Sequence, residues 1–191
     1  MQGMTSDALR RTTRRGFLAG VAAAGTAAAG LWPLSANAGY VVKPWPEGKP
    51  PPALGLADLD GKRWELSSLA GHAVVLNFCA SWCEPCRAEM PSLELLATRY
   101  ESDGLTVLSV NYKESLPTIQ RFLEALPFSL PILLDREGAA AGAWTARMFP
   151  TTVLIDRHGS AQSSVIGELD WMGDTARTLV EPLLAAAPRA A

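Results

Sequence analysis

An apolar, β-branched run, Val74-Val75-Leu76-Asn77-Phe78, leads through Trp82 into Cys83-Glu84-Pro85-Cys86, and then into Ala88-Glu89-Met90 with Leu93, Leu95 and Leu96 behind it. The run reads as a buried strand and the leucine spacing as a helix. The chain must therefore pass from strand to helix with two thiols at the joint. The opening turn of a helix has unpaired backbone N–H groups and the positive end of the dipole. A thiolate on Cys83 is stabilised there and becomes the better nucleophile at neutral pH. Two thiols separated by two residues close into a short, reversible disulfide, with Cys83 attacking and Cys86 resolving. This points to redox chemistry.

The same spacing is half of a structural zinc site, which needs a second Cys or His pair. The other candidates are Cys79, His72 and His158, and the two histidines fall in predicted turns. A purely structural disulfide is the remaining reading, disfavoured because so short a bridge is readily reduced.

The N-terminal part explains where such chemistry operates. Arg14-Arg15-Gly16-Phe17 precedes an uncharged stretch, Leu18 to Leu34, rich in Ala and Gly, and Ala36-Asn37-Ala38 supplies small residues at a cleavage position. Residues 1–38 resemble a twin-arginine (Tat) export signal, with cleavage after Ala38, and an uncleaved membrane anchor is the alternative. Both predict an oxidising compartment, most simply a periplasm, and use of the Tat translocon during export. The chain has 191 residues and a formal charge of −2, and loss of Arg10, Arg11, Arg14 and Arg15 against Asp7 leaves the rest more acidic. Nucleic acid is not an expected partner.

Residues 39–52 contain Pro44, Pro46, Pro50, Pro51 and Pro52 and are predicted to be an extended linker. Residues 53–187 are predicted to form one α/β domain, a central mixed β-sheet flanked by helices, with a hairpin ahead of it at Ala53 to Leu66 turning at Asp58 to Lys62. Strands are expected at Leu105–Val110, Pro131–Leu134, Thr151–Ile155 and Gln162–Ile166. Helices are expected at Leu116–Leu126 and Asp170–Leu184. Strand alternating with helix predicts a parallel pair joined by a crossover.

From Ala53 to about Leu184 the chain resembles the TlpA/ResA/CcmG group of the thioredoxin family. The resemblance is carried by Asn77-Phe78 leading into Trp82-Cys83-Glu84-Pro85-Cys86-Arg87-Ala88-Glu89-Met90-Pro91, and by Phe149-Pro150-Thr151-Thr152-Val153-Leu154-Ile155-Asp156. It implies a thioredoxin-like fold and a thiol-disulfide oxidoreductase that needs no cofactor beyond its own disulfide. It implies a cis Pro150 facing the cysteines, with Trp82, Glu84, Pro85 and Phe149 as the surface met by substrate. Asn77 stands where an ordinary thioredoxin has a proton-exchanging aspartate. Glu89, three residues after Cys86, and Glu114 match two glutamates of the ResA-like branch, either of which would hold a proton if partly buried. The resemblance also implies reduction of disulfides in partner proteins, of the kind used in cytochrome c maturation or copper-site assembly, fed by a membrane thiol donor of DsbD/CcdA type.

The chain departs from that group at Thr145 and Met148, where glycines are usual, and at Cys79, where tryptophan is usual. Cys79 and Cys83 also have the C-x-x-x-C spacing of Sco-like copper carriers, which gives a metal-binding module as the alternative, and the distant histidine such carriers use would have to be His158.

Overall fold

A computed structural model describes residues 39–185. The predicted export signal and its cleavage site, and the last two residues of the predicted domain, lie outside the described residues. Among the described residues, eight strands and four α-helices run in the order β1 (Tyr40–Pro44), β2 (Gly55–Ala57), β3 (Arg63–Glu65), β4 (Ala73–Cys79), α1 (Glu84–Tyr100), β5 (Leu105–Tyr112), α2 (Leu116–Ala125), β6 (Ile132–Asp135), α3 (Ala139–Ala143), β7 (Thr151–Ile155), β8 (Ala161–Gly167) and α4 (Asp174–Ala185). Six of the strands form a mixed sheet in the order β1-β8-β7-β4-β5-β6, with β4 parallel to β5 and antiparallel to β7.

Central position explains the unbroken apolar run of β4. Every one of its seven residues is buried, because the sheet is covered on both faces. Alternation then assigns each side chain to a layer. Val75 and Cys79 join the cluster containing Met90, Leu93, Trp171 and Val180. Val74, Leu76 and Phe78 join the cluster with Val110, Trp144 and Val153 on the other face. The crossover from β4 to β5 is α1, whose buried face carries Cys86, Glu89, Met90, Leu93 and Leu96.

The predicted hairpin forms as β2 and β3. Asp58 fixes its turn: one carboxylate oxygen accepts from the backbone N–H groups of Asp60 and Lys62, and the other accepts from the Trp64 indole at 2.8 Å.

Two expectations need correction, and one element is new. The predicted linker of residues 39–52 is not a tether throughout, because β1 pairs antiparallel with β8 over five registered positions. The proline count misled: Pro44 alone lies within the strand, at its end on a sheet edge, where a missing N–H is tolerated. Tyr40–Pro44 is therefore part of the sheet, although it lies ahead of Ala53, and Trp45, just beyond the strand, packs on Trp144 with ring centroids 6.0 Å apart. Gly167 is required at this join, since its φ is 101° and a Cβ there would collide with the Gly39 carbonyl. The closing helix starts at Asp174 rather than Asp170, because Asp170 closes a turn by accepting from the backbone N–H groups of Met172 and Gly173. Finally, α3 was not foreseen. Its five Ala and Gly residues carry no apolar period, and it forms because the buried Asp135 carboxylate accepts from the N–H groups of Ala140 and Ala141.

Candidate active site

Cys83 is the N-cap of α1, followed by Glu84 and Pro85 in the first turn, where proline's lost N–H costs nothing. Its sulfur accepts from the Cys86 N–H at 3.3 Å. The two cysteines form a disulfide with Cα atoms 5.2 Å apart. Cys83 is 6% exposed and Cys86 1%, so both are buried and the less buried of the two is the residue expected to attack. Glu84 lies beside them in an ion pair with Arg87 at 3.7 Å; both side chains face water, so the pair adds little stability.

Glu89 is buried one helical turn beyond Cys86, on the same face of α1. Its Oε1 accepts from the Asn77 amide at 2.7 Å, and its Oε2 accepts from the Trp171 indole at 3.2 Å and from the Leu169 N–H at 3.4 Å. Burial pushes its carboxyl up to about 7, while the donors from Trp171, Asn77 and Leu169 pull the other way. A carboxyl with that value can take up or give back a proton near neutrality. Asn77 also donates to the Thr152 hydroxyl at 2.9 Å, which ties the carboxyl to β7.

Glu114 has a different place. It is half-buried, and its carboxylate accepts from the Ser81 N–H at 2.8 Å, from the Ser81 hydroxyl and from the Asn111 amide at 2.6 Å. It pins the loop carrying Trp82 and Cys83 to the end of β5.

The Phe149–Pro150 peptide is cis, as expected. Trp82, next to Cys83, meets Phe149 edge-on at 6.0 Å between ring centroids, and Phe149 packs on Tyr112 at 4.9 Å. In the segment ahead of Pro150, Thr145 has a φ of 60°, a left-handed conformation of the kind a glycine takes without strain, and Met148 is 67% exposed. Trp82, Tyr112, Met148 and Phe149 border an open hollow. Glu84 and Pro85 are exposed at the head of α1 and do not line it.

Cys79 is buried in the layer that holds the disulfide, within 3.1 Å of the Ser109 hydroxyl. Burial above all, with the charges of Glu89 and Glu114, pushes its thiol up to about 12, so it keeps its proton at neutral pH. Among the described residues no cluster of three His, Cys, Asp or Glu side chains is arranged to hold a metal ion, and His158 lies in the turn between β7 and β8.

Sequence reasoning missed Trp171, Leu169 and Ser92. The Ser92 hydroxyl accepts from the Trp171 N–H at 3.2 Å and seats the indole beside Glu89. No local motif marks these residues, since they are more than 75 positions from their partners and meet them only through the turn at Asp170.

A mixed sheet with a disulfide at the head of its first long helix, and a cis proline beside the tryptophan that precedes it, defines a thioredoxin-fold redox protein. Residues 48–163 match the model of the AhpC/TSA family, and the chain belongs to that family, in its TlpA/ResA/CcmG-like branch. The thiol-disulfide oxidoreductase ResA of Geobacillus thermodenitrificans is 34% identical over 122 residues, covering 64% of this chain and 70% of the relative. ResA of Bacillus subtilis is 35% identical over 123 residues, covering 64% and 69%. Among solved structures, a thiol:disulfide interchange protein DsbE from Chlorobium tepidum superposes with a TM-score of 0.67 at 27% identity, covering 72% of this chain and 97% of that one. The protein is a thiol-disulfide oxidoreductase, and its substrates carry disulfides.

Proposed function

We propose that the chain reduces disulfides in partner proteins outside the cytoplasm, with Cys83 as nucleophile and Cys86 as resolving thiol. The Cys83 thiolate attacks one sulfur of the substrate disulfide; that bond breaks and the other substrate sulfur leaves with the electron pair, to be protonated. Cys86 then attacks the Cys83 sulfur and releases the second substrate thiol. The enzyme dithiol becomes the disulfide as the substrate disulfide becomes a dithiol. Cys86 must lose a proton before it attacks, and Glu89 receives it. The observation that carries this reading is the disulfide at the start of α1 with a buried carboxyl, raised to about 7, one turn below it.

No soluble cofactor is required. Each cycle ends with the enzyme oxidised, so repeated turnover in an oxidising compartment needs a thiol donor in the membrane, of DsbD/CcdA type. The twin arginines and the Ala36-Asn37-Ala38 site support export through the Tat translocon to the periplasm. Proteins of cytochrome c maturation or copper-site assembly are the substrate type this reading favours.

A trap tests it. In Cys86→Ser the mixed disulfide on Cys83 loses its resolving thiol, so reducible high-mass species should accumulate on non-reducing gels, absent from Cys83→Ser. The trap is also run with Cys79→Ala, to remove the third thiol. If neither background gives an adduct and the purified wild type reduces no protein disulfide, the proposal fails.

A further inference from the structure

The surface beside Cys83 is unevenly equipped, and that unevenness points to the kind of segment it receives. Cys83 is 6% exposed, so a disulfide can reach its sulfur only on a thin, extended stretch of chain. The mixed disulfide brings the substrate cysteine within bonding distance of Cys83, and the residues flanking that cysteine must then lie on the neighbouring surface. There the hollow opens, with a volume of about 700 Å³.

Its walls are apolar. Trp82 is 66% exposed and Met148 67%, and both line the hollow with Phe149, which packs on Tyr112. Large apolar groups left this open next to a reactive centre mark a contact surface. Its charges are positive. Arg147 lines the hollow. Gly138, at the lip, has a φ of 72°, and a Cβ there would collide with the Lys113 stem and the Tyr112 ring, so the Lys113 stem runs along that edge. The Lys113 ammonium lies 5.3 Å from the Tyr112 ring centroid.

Among the described residues neither Arg147 nor Lys113 is in an ion pair; the pairs found are Arg63–Glu65, Arg87–Glu84 and Arg177–Asp174. Glu114, next to Lys113 in sequence, is engaged by Ser81 and Asn111 instead. Glu137, beside Gly138, follows Arg136 in the chain and does not line the hollow.

We infer that this hollow selects, among disulfide-bearing proteins, extended segments with a bulky apolar residue beside the reacting cysteine and acidic residues close by. The apolar side chain seats between Trp82, Met148 and Phe149, and the carboxylates pair with Arg147 and Lys113. The inference rests on the reading that Cys83 attacks protein disulfides. It also runs against the net charge of the chain, which is negative. Local cations, rather than the overall field, supply the selectivity.

The test uses the purified, reduced protein and three synthetic peptides closing the same disulfide loop. One is flanked by Trp and Asp, one by Trp and Lys, and one by Gly and Ser. Rates of disulfide reduction are followed by loss of protein thiols. The Trp/Asp peptide should react faster than the Trp/Lys peptide by about tenfold at low salt, the lower end of electrostatic enhancement for charged partners. That ratio should shrink at high salt and fall towards one in Arg147→Glu, where Lys113 is left to face the new carboxylate, while Met148→Ser should reduce the advantage of Trp/Asp over Gly/Ser. Equal rates for all three peptides, or a faster Trp/Lys peptide, overturn the inference and leave the oxidoreductase reading standing. Failure of the wild type to reduce any of the three overturns both.

Discussion

Thr145 holds a φ of 60°, a left-handed conformation that crowds a β-branched side chain and costs on the order of 1–2 kcal/mol. Its side chain is exposed, so no buried contact offsets that cost. Replacement by glycine relieves the strain but adds freedom to the unfolded chain, roughly 0.5–1 kcal/mol. Thr145→Gly should therefore stabilise the protein by about 0.5–1 kcal/mol, read from the urea midpoint at constant m value. The peptide selectivity of this variant also deserves measurement, because Arg147 and Met148 follow directly. A midpoint that falls would show that the loop depends on the threonine.

Four elements meet at Glu89: α1 carries it, β4 and β7 approach through Asn77 and Thr152, and the turn before α4 supplies Leu169 and Trp171. The indole N–H favours the charged carboxylate, so its loss raises the Glu89 titration further above the ordinary glutamate range. In Trp171→Phe the inflection of thiol alkylation rate against pH should move up by roughly one unit, the worth of one hydrogen bond to a charged group. A merely structural tryptophan would lower stability and leave the inflection in place. Much of this element level was legible in advance. The strand-to-helix joint at Cys83, the hairpin around Asp58, the parallel β4–β5 pair and the β7–β8 hairpin follow from period and turn residues that neighbours in sequence carry. The start of α4, the strand β1 and the short α3 do not. Each is decided by partners distant in sequence or by one side chain capping a backbone turn, and proline content or alanine runs point elsewhere. Likewise Glu89 could be named from its spacing to Cys86, but its donors on the far side of the fold could not.

For the whole molecule, a buried carboxyl raised from an ordinary 4.5 to about 7 makes stability depend on pH. Between those values the folded protein keeps a proton on Glu89 that the unfolded chain has already released. Stability is therefore highest below about 4.5 with respect to this group, and declines as pH rises through about 7, by on the order of 3 kcal/mol in total. Urea unfolding of the oxidised protein across that range should show the decline, and Glu89→Gln, which has no proton to lose, should flatten it. An equal slope in both proteins would assign the dependence to other groups. The same contact gives the molecule an optical indicator. Trp171 is one of the largest fully buried side chains, and its indole nitrogen is bonded directly to the titrating carboxyl. Its emission therefore senses, from inside the core, whether the acid beneath the disulfide is charged, as the part of the six-tryptophan fluorescence that Trp171→Phe removes.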